Sequence, residues 1–358
     1  MLALNSTAIG WVIFVVITVG WIAYYILNNR SARNELGSEV EMAPNRKPYY
    51  DDEVLEGPRL ERMQLLGVLL LFTMVIGLPL YWVLEPARQS GAVAQKDETF
   101  INWGSQLFQT TGNGGFNCAG CHGGMKATGG VAAYAVTDNR TGEVKAVNWM
   151  APALDTVFYR FSKEEVRFIL NYGRPFSPMA AWGAPGGGPM TEQNIETILH
   201  YLQSIQQQPE GCLGDVAFVK DADPYVCEGG TVPAATRDAI DAAVATYLEG
   251  HPGASRGEAL FNLDLASGAY SCARCHTQGW SYGDPGVTGQ GAFGWNLTGG
   301  STAAHFPNEA DMISFIKSGS SYGKKYGVQS QGSGRMPGFG HLLTDEDIKA
   351  IVEYVRSL

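Results

Sequence analysis

The sequence predicts a mostly α-helical chain: a hairpin of two membrane-length helices, then two copies of one small helical domain in tandem. Three observations carry this prediction. Two long uncharged apolar runs lie in the first quarter of the 358 residues, and one pattern of residues returns 154 positions later, at Cys118 and again at Cys272. Period-two alternation is nearly absent, so strands are expected to be minor.

Residues 8–27 form an uncharged run of 20 residues, and residues 63–84 a second of 22 that carries Gln64 and closes on Gly77, Pro79 and Trp82. Each is long enough to span a bilayer, with aromatics such as Trp21, Tyr24 and Tyr81 near the ends. A cleaved leader needs a basic start, and residues 1–7 hold no Lys or Arg, so the first run reads as a retained anchor. The connection between the runs holds Arg30, Arg33, Arg46, Lys47, Arg59 and Arg62. Positive charge marks the cytoplasmic side, which makes the chain two-pass in the plasma membrane with its N-terminus and everything after Pro86 outside the cytoplasm.

After the anchor (residues 1–86) the sequence divides into a linker at 87–97, a first domain at 98–206, an inter-domain segment at 207–253 and a second domain at 254–358. The domains repeat one another. Gly104, Leu107 and Phe108 correspond to Gly257, Leu260 and Phe261, in first helices expected at about 98–110 and 254–266. Middle helices are expected at 163–171 and 309–317. Pro178-Met179 and Trp182-Gly183 correspond to Arg335-Met336 and Phe339-Gly340. Last helices then start at Thr191 and Thr344, each a suitable N-cap followed by acids and apolar residues at helical spacing. Residues 235–249 add an amphipathic helix between the domains.

At equivalent places the copies carry Cys118-Ala119-Gly120-Cys121-His122 and Cys272-Ala273-Arg274-Cys275-His276. Cys-x-x-Cys-His is the attachment signature of c-type haem. The two thiols add across the haem vinyl groups, and the adjacent His122 or His276 ligates iron from one face. A bare Cys-x-x-Cys also suits a redox pair or half a zinc site, but the histidine recurs in both copies. Two covalent haems c are expected. Met179 lies 57 residues after His122 and Met336 lies 60 after His276, which nominates them as sixth ligands. His/Met ligation raises the reduction potential; the alternative is that each Met fills a core. Met150 is a rival for the first site, whereas Met125 sits too near His122, and Met190 and Met312 read as core. His200, by its match to Glu353, reads as solvent-facing, His251 as a loop residue, and His305 and His341 as ligands only if Met336 is not one.

Of six cysteines, Cys212 and Cys227 remain. A leftover pair outside the cytoplasm reads as a disulfide, the alternative being two free thiols. Asp215, Asp221 and Asp223 in the same segment could hold calcium or simply be solvated. The formal charge is −10, and after residue 86 there are 19 basic against 26 acidic side chains. This acidity argues against nucleic-acid binding and suits a basic redox partner. The 45 glycines form no dinucleotide- or phosphate-binding motif in strand–helix context.

With these motifs, residues from about 98 to the end resemble two class I cytochrome c domains. The whole chain resembles membrane-bound dihaem cytochromes of respiratory complexes: the cytochrome cc subunit of actinobacterial-type quinol:cytochrome c oxidoreductase, or the dihaem subunit of cbb3-type oxidase. The connection at 47–62 lacks the Asp-Asn-Pro-Leu-Pro stretch usual in the second group, which favours the first. The first usually carries its anchor after the haem domains, so the architecture departs from it. The resemblance implies electron relay without catalysis by the chain alone, and partners among cytochrome b, a Rieske protein and a haem-copper oxidase in the lipid bilayer. An electron acceptor for a periplasmic dehydrogenase shares these features. A dihaem peroxidase-like enzyme needs an open iron position, and a copper-binding oxidase subunit needs a Cys/His/Met cluster that the sequence lacks. The family pattern also places a proline carbonyl on the proximal histidine: Pro152 fits for the first site, and the second copy, Gly294-Trp295-Asn296-Leu297, has no proline there. Unequal potentials at the two sites are the expected consequence.

Overall fold

The computed structural model describes residues 6–34, 57–137, 141–174, 177–214, 217–219, 225–263 and 271–358. The chain divides into two compact units, Met1–Pro86 and Ala87–Leu358.

In the first unit the described residues are almost all helical. Helix α1 spans Ser6–Asn34, and α2 spans Pro58–Phe108 and runs on into the second unit. Among the described residues one helix, α2, is long and apolar enough to cross a membrane; α1 contributes a shorter apolar stretch, Val15–Leu27. The apolar side chains of α2, Leu69, Phe72, Val75 and Trp82 among them, are exposed rather than covered by protein. That is how a lipid-facing surface is composed. Residues 35–56, with Arg46 and Lys47, lie outside the described residues, as do the side chains of Arg33 and Arg59. A linker is expected at 87–97, but the helix continues through it. The reason is local: Ala87, Arg88, Gln89, Ala92, Ala94, Gln95 and Lys96 are good helix formers, and only Gly91 and Ser90 weigh against them.

In the second unit, α3 (Cys118–His122) is followed by strands β1 (Gly130–Thr137) and β2 (Val144–Ala151), then α4 (Lys163–Tyr172) and α5 (Glu192–Ser204). Next come α6 (Ala234–Gly250), α7 (Arg256–Asn262), α8 (Ala273–His276), α9 (Ser301–His305), α10 (Glu309–Ser318), two-residue strands β3 (Lys325–Tyr326) and β4 (Ser330–Gln331), and α11 (Asp345–Ser357). The last helices start as the sequence suggests. Thr191 and Asn194 form a capping box on α5, and Thr344 and Asp347 form one on α11.

The repeat is visible in the packing. A Cβ at Gly104 would lie 2.0 Å from the Thr197 carbonyl oxygen, and one at Gly257 would lie 2.0 Å from that of Ala350. Glycine thus lets each domain's first and last helices cross almost backbone to backbone. Below the first crossing lie Phe108, Phe158, Ile195, Ile198, Leu199 and Leu202; below the second lie Leu260, Phe261, Phe339, Ile348, Ile351 and Val352. Each such burial contributes about 1.5–3 kcal/mol. Val226, Val232, Ile240 and Val244, from the inter-domain segment, pack into the second core.

Strands are less minor than expected. β1 and β2 pair antiparallel over their full length, from Gly130 opposite Ala151 to Thr137 opposite Val144. Most of their side chains are exposed, so no apolar/polar alternation marks them in the sequence.

Candidate functional site

The first attachment motif is the single turn α3. Asn117 enters it at φ 68° and Gly123 leaves it at φ 87°. A Cβ on Gly123 would meet the Gly129 carbonyl oxygen at 2.1 Å, so the turn is folded tightly onto the start of β1. Both cysteines and the histidine therefore leave one compact turn. His122 is buried, and its Nδ1–H donates to the Pro152 carbonyl at 2.8 Å. A carbonyl only accepts, which puts the proton on Nδ1 and the lone pair on Nε2. Burial pushes the imidazole pKa down, opposed by the Pro152 carbonyl and aided by the charges of Arg274 and Arg160. Burial also pushes the Cys118 thiol up to about 12.

The second motif repeats this chemistry with a different partner. In α8, His276 Nδ1–H donates to the carbonyl of Trp295 at 2.7 Å. No proline is needed, because the interaction asks only for a backbone oxygen. A Cβ on Gly294 would lie 2.7 Å from His276 Cε1, so a bare backbone is what the imidazole packs against. Burial pushes the His276 pKa down and the Cys272 thiol up to about 12. Neutral imidazoles with Nε2 lone pairs, beside thiols that form no disulfide, fit a covalently held haem iron.

Met179 and Met336 are held by equivalent devices. Each is half-buried, Met179 against the first core and Met336 against the second. Gly173, ending α4 at φ 68°, and Gly319, ending α10 at φ 72°, lie under the methionine loops. A Cβ would approach the Met179 oxygen to 2.5 Å in one and the Met336 oxygen to 2.7 Å in the other. A serine hydroxyl accepts from each methionine N–H, Ser177 at 3.2 Å and Ser320 at 3.0 Å.

The rival residues are otherwise occupied. Met150 packs against the second core, away from the role considered for it at the first site, and its carbonyl accepts from Arg274. Met190 and Met312 are core, and Met125 is exposed. His341 Nδ1–H donates to the Gly230 carbonyl at 2.6 Å, and His305 stacks edge-on against Phe306 and Tyr326. His251 lies flat on Tyr247. His200, expected to face solvent, is instead half-buried beside Asp97, Glu196 and the Phe100 ring, because α5 packs on the end of α2 there. Cys212 and Cys227 are joined by a disulfide with Cα atoms 5.6 Å apart. Asp215, Asp221 and Asp223 lie outside the described residues.

The sequence aligns Gly294 and Trp295 with the Pro152 segment but gives neither a role, and it does not show the contacts of Arg274. Pro152 lies 30 residues beyond its histidine but Trp295 only 19 beyond its own, since the β1–β2 hairpin intervenes in the first copy alone.

Residues 101–206 match the family of cytochrome c, and residues 253–355 match the family described as cytochrome c oxidase, cbb3-type, subunit III. No curated protein and no solved structure matches the chain. Cytochrome c domains bind haem covalently and transfer electrons. The chain is a multi-domain c-type cytochrome, and its C-terminal part resembles subunit III of cbb3-type oxidase.

Proposed function

We propose that this protein carries two haems c in tandem class I cytochrome c domains and relays electrons between them on the outer face of the plasma membrane. His122 and Met179 hold the first iron, His276 and Met336 the second, and Cys118, Cys121, Cys272 and Cys275 the porphyrins. The observation that carries this reading is the doubled device: a histidine oriented by a backbone carbonyl in each copy, and a methionine loop packed on a left-handed glycine in each. When bound, haem c supplies a one-electron couple at a potential that His/Met ligation raises. The protein's part is to fix the ligands, to hold each imidazole in one tautomer and to exclude water. His122 with Met179 and His276 with Met336 would saturate each iron, which would suit electron transfer rather than reaction with peroxide.

The anchor in this reading is a two-helix hairpin, α1 and α2, with the basic connection in the cytoplasm. The chain serves as a subunit of a respiratory assembly. The match of residues 253–355 to the cbb3-type family supports delivery of electrons to a haem-copper oxidase. The connection at 47–62 supports a second reading, the dihaem subunit of a quinol:cytochrome c oxidoreductase coupled to an oxidase. Extraction of native membranes in mild detergent tests both. Co-purification of an oxidase catalytic subunit alone supports the first, and cytochrome b with a Rieske protein supports the second. A chain that emerges with none of these contradicts both.

A further inference from the structure

The proximal sides of the two attachment sites meet across one strand. Pro152, whose carbonyl holds His122, is the residue immediately after β2. Three residues earlier, Trp149 is buried with 9 % of its surface exposed, in a strand that otherwise faces largely outward. Its ring centroid lies 5.7 Å from that of Tyr282 and 6.3 Å from that of Phe293, both in the second domain. Phe293 precedes Gly294, which underlies the His276 ring, and Trp295, whose carbonyl holds that ring. Between Trp149 and Pro152, the Met150 carbonyl accepts a hydrogen bond of 2.9 Å from Nη1 of Arg274. Arg274 is itself buried within the second Cys-x-x-Cys-His motif and packs over the Trp280 ring at 5.7 Å. One strand therefore touches the support of the first histidine at its end, and along its length touches both the second attachment motif and the segment supporting the second histidine.

We propose that β2 is the electron route between the two sites, with Trp149 and Arg274 as its contacts to the second domain. This rests on the two-haem reading above. Tunnelling through packed and hydrogen-bonded atoms decays less steeply than tunnelling across gaps, and here the boundary between domains is closed by an aromatic contact and a hydrogen bond rather than by solvent. The exchange moves one electron, oxidising the donor site and reducing the acceptor site, and no proton or bond moves with it. Both residues are positioning residues: they act through the backbone and rings between the histidines. The first copy alone carries the hairpin, so it adds a contact that neither domain needs in order to hold its own histidine.

The test uses the full-length, detergent-solubilised protein with Met336→His, which shifts the optical band of the second site away from that of the first. One electron is photoinjected and its passage between the two bands is timed. Trp149→Leu combined with Arg274→Lys, which keeps the buried positive charge, is expected to slow the exchange several-fold while both reduction potentials stay where they are in the parent. Trp149→Phe, which keeps a ring, is expected to retain most of the rate. Phe293→Leu, at a position already 41 % exposed, probes the same contact from the other domain should the double variant fail to take up haem, and it is expected to slow exchange as well. An unchanged rate in a variant that holds both haems overturns the route and leaves the two-haem reading standing. A parent protein with fewer than two haems per chain overturns both.

Discussion

Gly294 shows how much one missing side chain can decide. The His276 ring lies where a Cβ would intrude at 2.7 Å, next to the carbonyl that orients it. Gly294→Ala is expected to shift the potential or lower the haem occupancy of the second site while leaving the first unchanged, measured by redox titration and haem content of the purified variant. Glu196 makes a pH-dependent prediction. Burial raises its pKa, but hydrogen bonds and charge from Arg167 and Lys163 outweigh burial and hold it below its ordinary 4.5. A carboxylate with a lowered folded pKa stabilises at pH above its unfolded value and loses that contribution as pH falls through the folded one. Stability of the first domain is thus expected to fall as pH drops below about 4.5, and Glu196→Gln to flatten that part of the profile in parallel unfolding curves. Asp155 works in the opposite direction, since burial raises its pKa, so the difference between parent and variant is the quantity to read.

Between elements, the two glycine crossings are the common joint of the repeat. Gly104→Ala puts a methyl 2.0 Å from the Thr197 oxygen, and Gly257→Ala puts one 2.0 Å from the Ala350 oxygen. Backbone cannot rotate away as a side chain can, so each substitution is expected to cost about 1–3 kcal/mol, read as a lower denaturation midpoint. The correspondence of these positions was legible in the sequence, because Gly104 and Gly257 sit at the same offset from Phe108 and Phe261, but the crossing itself was not. The capped helices were legible too, since Thr191 and Thr344 carry their partners three residues on, at Asn194 and Asp347. The hairpin was not: its faces are mostly exposed, and Asp138, Asn139 and Gly142 between a Val-, Ala- and Tyr-containing run and a Val-, Ala- and Trp-containing one were the only signal. Nor was the role of Trp295: its segment aligns with that of Pro152, but a backbone carbonyl leaves no trace in residue type. The segment 87–97 was placed as a linker, and its helical conformation was not stated, although its composition favours helix.

At the scale of the molecule, the chain joins one long apolar helix to a helical unit that holds two Cys-x-x-Cys-His turns. The inter-domain segment is tied to the second core through Val226, Val232, Ile240 and Val244 and is closed on itself by the Cys212–Cys227 disulfide over a separation of 15 residues. Constraining a loop of that size contributes about 3 kcal/mol in the chain-entropy description. Replacing both cysteines by serine is expected to lower stability by about that amount in denaturant unfolding, with the haem spectrum retained in the native state. After residue 86 acidic side chains outnumber basic ones, 26 to 19, so docking of any basic redox partner is expected to weaken as salt rises. The central claim is the presence of two covalent haems, and the intact mass of the purified full-length chain tests it most directly. A mass increased by two haems, falling to one in Cys118→Ala/Cys121→Ala and likewise to one in Cys272→Ala/Cys275→Ala, is the expected result. A parent chain carrying one haem or none contradicts it.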